Sequence, residues 1–254
     1  MARSSSYVAF DSGLVMNTKY LTENVAYFLG GIFASEEQII SSSRRYRIAP
    51  VRYNYGAATE LEIAQHFELV KEIAAPVNGQ TVMAENIRGT PLDTGKNRMP
   101  GFSTFFQVSS LEQLIDLIPS LESALLASPW SVHQAFLVGV FDGRSSPDID
   151  RKTHNVRFLS LDCITDEVGY FLDEMVDSVG LQHNYNTHRD RKEGGRPRNP
   201  QLRVSNVSEF MNRIGLISPR RINLLRSAYV HNYGTVEIHD ESTILPGLKT
   251  LFVR

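Results

Sequence analysis

The chain of 254 residues is 42% hydrophobic and 21% charged, with a formal net charge of −2. That composition excludes a disordered chain, allows one large core or two modest ones, and leaves nucleic-acid binding to be judged by where the charges lie. The single cysteine, Cys163, excludes an intrachain disulfide and a cysteine zinc site and fits a reducing interior compartment. No run is apolar and long enough for a signal peptide or a membrane span, so an intracellular protein is expected.

The first predicted helix runs from about Thr22, a ready N-cap, to Glu37, with Val25, Phe28, Leu29, Ile32 and Phe33 at helical spacing. Ile39 to Ser43 and Tyr46 to Tyr55 are rich in β-branched and aromatic residues and read as one or two strands interrupted by Pro50. A second helix, from Thr59 to about Ala75, stops at Pro76. Gln80 to Ile87 reads as a short strand, Gly89 to Gly101 as a loop and Phe102 to Val108 as a strand. Ser109 or Ser110 then caps a helical stretch that reaches Ala127 and breaks near Pro119.

The same order returns. Ser131 to Asp142 is helical, Gly143 to Asn155 a polar loop, and Val156 to Cys163 a strand. Thr165 opens a helix that ends at Gly180, and Leu181 to Thr187 is strand-like. A Gly/Pro/Arg loop spans Arg189 to Pro200, Gln201 to Ser205 is a strand, and Ser208 caps a helix toward Ile214. A last helical piece begins at Pro219, and the pattern beyond Tyr229 places no element. The expected class is α+β, with two related αββαββα halves over residues 1–128 and 129–254. The link at Ser128–Pro129 is short, so the halves should pack on each other.

The two opening helices share a motif. Residues 27 to 37 read YFLGGIFASEE and residues 135 to 145 read AFLVGVFDGRS. Glycine inside a helix costs about 1 kcal/mol relative to alanine, so a glycine at one place in two apolar helices needs a reason, and close approach of two backbones supplies it. Both stretches resemble the LAGLIDADG motif, with Leu29 and Leu137 at its first position and Gly31 and Gly139 at its third. The two leucines stand 108 residues apart. The stretches Val176 to Leu181 and Phe210 to Arg221 resemble the middle and closing helices of such a half, and the likeness runs over roughly residues 20 to 228.

The resemblance implies a homing-endonuclease fold acting as a monomer with an internal pseudo-two-fold, its two antiparallel sheets saddling the major groove of double-stranded DNA. Basic residues collect on the matching strands and loops: Arg44, Arg45, Arg47 and Arg52 in the first half, and Arg157, Arg189, Arg191, Lys192, Arg196, Arg198 and Arg203 in the second. Acids collect on the middle and closing helices, which the fold turns to solvent. Tyr53, Asn54, Asn184, Tyr185 and Asn186 suit phosphates and base edges.

The implied chemistry is phosphodiester hydrolysis assisted by Mg2+ or another divalent cation, held by one acid from the end of each motif helix. Glu36 falls on the motif's eighth position. In the second motif Arg144 occupies that position and a guanidinium cannot bind a cation, so Asp142, at the sixth position, is the substitute ligand and Arg144 a candidate to hold the scissile phosphate. Three outcomes follow: a shifted but active site, a nicking enzyme competent in one half, or a DNA-binding regulator that does not cut. An RNA maturase is a further possibility within the same resemblance. The seven histidines show no metal-site spacing and read as surface or DNA-contact residues.

Overall fold

The computed structural model describes residues 21–34, 40–42, 45–47, 51–52, 59–83, 101–107, 123–163, 166–187 and 200–253. Two helices run side by side through its centre: α1 (Glu23–Phe33) and α3 (Trp130–Arg144). They pack on each other more extensively than any other two helices among the described residues. Thr22 caps α1, its hydroxyl accepting the Val25 amide at 3.4 Å. Every residue of α3 from Val132 to Asp142 is buried. A helix buried on all sides belongs inside a core, and α3 lies between elements of both halves.

Between α1 and α3 come β1 (Ile40–Ser42), β2 (Arg45–Arg47), β3 (Val51–Arg52), α2 (Glu60–Ala74), a 3-10 turn (Ala75–Val77), β4 (Gln80–Met83) and β5 (Gly101–Gln107). Thr59 and Glu62 form a capping box at the start of α2. β5 is the hub of the first sheet: β2 and β3 lie in line along one of its sides and β4 along the other, all antiparallel. β1 then pairs with β2.

After α3 come β6 (Ser146–Ile149), β7 (Val156–Asp162), α4 (Asp166–Ser178), β8 (His183–Asn186) and β9 (Gln201–Val204). The second sheet runs β6-β7-β9-β8, also antiparallel. If β2 and β3 count as one interrupted strand, both sheets have the same order, first-second-fourth-third. The chain closes with α5 (Val207–Arg213), α6 (Pro219–Tyr233) and a separate hairpin of β10 (Val236–Asp240) and β11 (Lys249–Val253).

Three expectations need correction. The supposed polar loop of residues 143–155 holds a strand, β6. Ser-Pro-Asp-Ile carries little β signal, and Pro147 is tolerated because β6 lies at the sheet edge. The cap of α5 is Asn206, not Ser208: its Oδ1 accepts the Glu209 amide at 3.1 Å. The unplaced stretch beyond Tyr229 extends α6 and then forms the hairpin, whose Leu245, Leu248 and Leu251 are fully buried.

Candidate nucleic-acid interface and the helix seam

Two glycines close the seam between α1 and α3. A Cβ on Gly139 would overlap the Tyr27 carbonyl oxygen and stand 2.7 Å from the carbonyl carbon. A Cβ on Gly30 would overlap the Phe136 carbonyl oxygen and stand 2.8 Å from the Val140 amide nitrogen. Each glycine meets the residue three places before the other, so the contact is reciprocal. The expected partner of Gly139 was Gly31. It is Gly30 that is buried in the seam, and Gly31 is half-exposed. The neighbouring glycines differ only in which face of the helix they occupy, which composition does not tell.

This shift by one residue changes the motif register. Gly30 and Gly139 now correspond, 109 residues apart. Asp142 is then matched by Phe33, and Arg144 by Ser35. Counted from the seam glycines, neither helix has an acid at the eighth motif position, and Glu36 falls one place beyond it. Glu36 itself lies outside the described residues.

Asp142 is fully buried. Its Oδ1 accepts the amides of Ile217, at 3.2 Å, and Ser218, at 2.6 Å. Its Oδ2 lies 3.2 Å from the Tyr27 hydroxyl and 2.6 Å from His66 Nε2. Arg221, also buried, donates from Nε to the Ser145 carbonyl at 2.8 Å and from Nη1 to the Ser218 hydroxyl at 3.3 Å. The cluster therefore ties α1, α2, α3 and α6 together. Burial alone would raise the Asp142 pKa. The opposing pull of His66, the charge of Arg221 and the Ser218 amide outweigh it, so the carboxyl is held below its ordinary value. Burial, reinforced by the carboxylate beside it, pushes the Tyr27 hydroxyl well above its ordinary range.

The metal expectation at Asp142 is corrected on this geometry. Both oxygens are already hydrogen-bonded and neither reaches solvent, so the carboxylate does not fit a hydrated divalent cation. No group of three or more His, Cys, Asp or Glu among the described residues could hold a metal ion. The histidine expectation fails for two of the seven, because His66 is fully buried and His133 nearly so, whereas His154, His231 and His239 are exposed. His66 stands edge-on to the Phe102 ring at 5.2 Å, which pins its ring. Its place was legible: Ile63, His66, Val70 and Ile73 form one apolar stripe of α2.

The solvent side of the second sheet is polar. Leu159, Leu161, Leu202 and Val204 face the core, and Phe158, Ser160, Asp162, Asn184, Asn186, Gln201 and Arg203 alternate with the inward residues of their strands. Arg157 and Arg203 are the two expected DNA contacts described with their side chains. Arg157 is paired with Asp148, its Nε and Nη2 reaching Oδ1 at 2.9 and 2.6 Å. Arg203 stacks on Phe158, 4.8 Å from the ring centroid. Arg45, Arg47 and Arg52 stand on β2 and β3, and Arg144 ends α3, with side chains outside the described residues. Arg44, Arg189, Arg191, Lys192, Arg196 and Arg198 lie outside them altogether.

No family model and no curated protein matches the chain. Solved structures do. I-DmoI in complex with DNA and Ca is 14% identical and aligns over 82% of this chain and 98% of its own, with a TM-score of 0.51. This chain has the LAGLIDADG fold. I-DmoI with DNA and Mn gives 14% identity and a TM-score of 0.47 over 76% of this chain and 97% of that one. The N-terminal LAGLIDADG domain of WhiA gives 11% and 0.40 over 81% of each chain. In LAGLIDADG terms, α1 and α3 are the motif helices and the sheets β1-β2/β3-β5-β4 and β6-β7-β9-β8 flank them.

Proposed function

We propose that this chain is a sequence-specific double-stranded-DNA-binding protein of the homing-endonuclease kind that cuts at most one strand. The reading is carried by the reciprocal glycine seam, which brings two helices of the motif type together between two antiparallel sheets of the same strand order. It is supported by the arginines collected on those sheets and their loops, and by I-DmoI, which shares the fold and is seen in complex with DNA and Ca. The halves, residues 1–128 and 129–254, act together within one monomer, each against half of an asymmetric target.

Strand cleavage in this reading calls for a divalent cation, Mg2+ in the first place, and the ligand left for it is Glu36. Asp142 is not available, and no acid replaces it at the end of α3. Arg144 at that end is suited to hold a phosphate. A second reading, binding without cleavage as a regulator does, is favoured by the burial of Asp142 and by Ser35 and Arg144 at the matching motif positions.

The test is to select duplexes from a random library with the full chain and to incubate supercoiled plasmids carrying the selected site with and without Mg2+. Retained duplexes are expected, with nicked circles as the only product and no nicks with Glu36→Gln. Linear product would overturn the limit to one strand. Retained but intact DNA would leave the binding-only reading, and no retained DNA would overturn both.

A further inference from the structure

On the solvent side of the second sheet, two rows of residues cross the three strands β7, β9 and β8. One row is Ser160, Arg203 and Asn184; the next is Asp162, Gln201 and Asn186. Gln201 links them. Its Nε2 donates to Asp162 Oδ1 at 2.8 Å, and its Oε1 accepts from Arg203 Nε at 2.7 Å. The orientation of this amide is fixed by its neighbours. Turned over, it would set oxygen against carboxylate and NH2 against guanidinium, losing both bonds. The carboxylate thus fixes the amide, the amide fixes Nε of the guanidinium, and Phe158 supports the guanidinium from below. Arg203 Nη1 and Nη2 have no protein acceptor among the described residues.

We propose that Arg203 is the guanine reader of the second half-site, and that Asp162 and Gln201 are the positioning residues that aim it. This rests on the DNA-binding reading above and adds one base and three named residues to it. An arginine with Nε tied back offers its two terminal nitrogens as a fork, the pattern that matches O6 and N7 on the major-groove edge of guanine. An untethered phosphate-binding arginine needs no such relay, and a lysine could not supply the fork. The acid on a surface meant for DNA otherwise opposes binding; here it acts through Gln201. Asn184 and Asn186, on the neighbouring strand, flank the fork with side chains suited to adenine.

The full chain is used to select duplexes from a random library, and the preferred site is then bound in competition with each single-base variant. The wild type is expected to enrich guanine at one position of the second half-site and to bind the variants there roughly ten- to a hundredfold more weakly. Arg203→Ala should lose that preference alone, keeping those at other positions. Asp162→Ala should weaken it several-fold with overall affinity kept, and Asp162→Asn, whose oxygen still accepts from Gln201, should restore it. An unchanged guanine preference in Arg203→Ala overturns the assignment, as does a uniform loss of affinity for all sequences, the mark of a phosphate contact. A full preference kept in Asp162→Ala overturns the relay. Failure of the wild type to retain any duplex would instead remove the DNA-binding reading.

Discussion

Asp142 receives hydrogen bonds or close approach from four groups on three other parts of the chain, with no solvent to replace any of them. Removing its charge takes away the buried carboxylate that faces Arg221. Asp142→Asn should therefore destabilise the protein by about 3 to 5 kcal/mol, read from the urea midpoint. A metal-binding carboxylate in a wet site would give little such change. The sign of the pH dependence follows from the depressed pKa. The stabilisation is present above 3.8, the ordinary value, and is lost as pH falls through the lower folded value. The gap in stability between wild type and Asp142→Asn should thus close on acidification below about pH 4. His66 on α2, Tyr27 on α1 and Arg221 on α6 are the titratable groups facing it, and a gap that persists unchanged at pH 2 would contradict the assignment.

At the scale of elements, the α1/α3 pair stands or falls on two missing Cβ atoms. Gly139→Ala gains about 1 kcal/mol of helix propensity, yet its methyl would lie inside the Tyr27 carbonyl. The helices must move apart along a fully packed face, a net loss of about 3 kcal/mol. Gly31→Ala, outside that contact, should instead leave the melting temperature within a few degrees of the wild type. That contrast separates the observed register from the one expected from sequence. Most elements were legible because their periodicity and caps agreed: Thr22 and Thr59 start helices, Pro76 ends one, and Val156 to Asp162 alternates as a strand should. β6 was not legible, because an edge strand with a proline has no pattern of its own. The cluster around Asp142 was hidden for another reason. Its members, Tyr27, His66, Asp142 and Arg221, are spread over almost 200 positions and meet only in three dimensions. An aspartate near the end of a motif helix reads as a ligand until its partners are seen.

For the whole molecule, the DNA-binding reading requires a near-neutral chain to bind through local charge, with an affinity that falls linearly with log salt concentration. Arg157 enters that balance already paired with Asp148. Asp148→Asn should strengthen DNA binding and steepen the salt dependence, measured by fluorescence anisotropy on the selected site. An unchanged slope would remove Arg157 from the interface.

The last stretch of the chain folds back onto the first half. Gly247 lies so close to Leu69 of α2 that a Cβ would stand 3.0 Å from its Cγ, and Asn223 donates to Glu62 at 2.9 Å. His66, on the same helix, finds its partner Asp142 only in the second half, and Asp142 in turn accepts the Ser218 amide at the start of α6. An N-terminal half leaving the ribosome is consequently an unfinished object: α2 waits, with a buried-type histidine and an apolar flank exposed, for residues of the second half, which are synthesised later. Synthesis of the second half, not emergence of the first, is then the event that makes the first half stable.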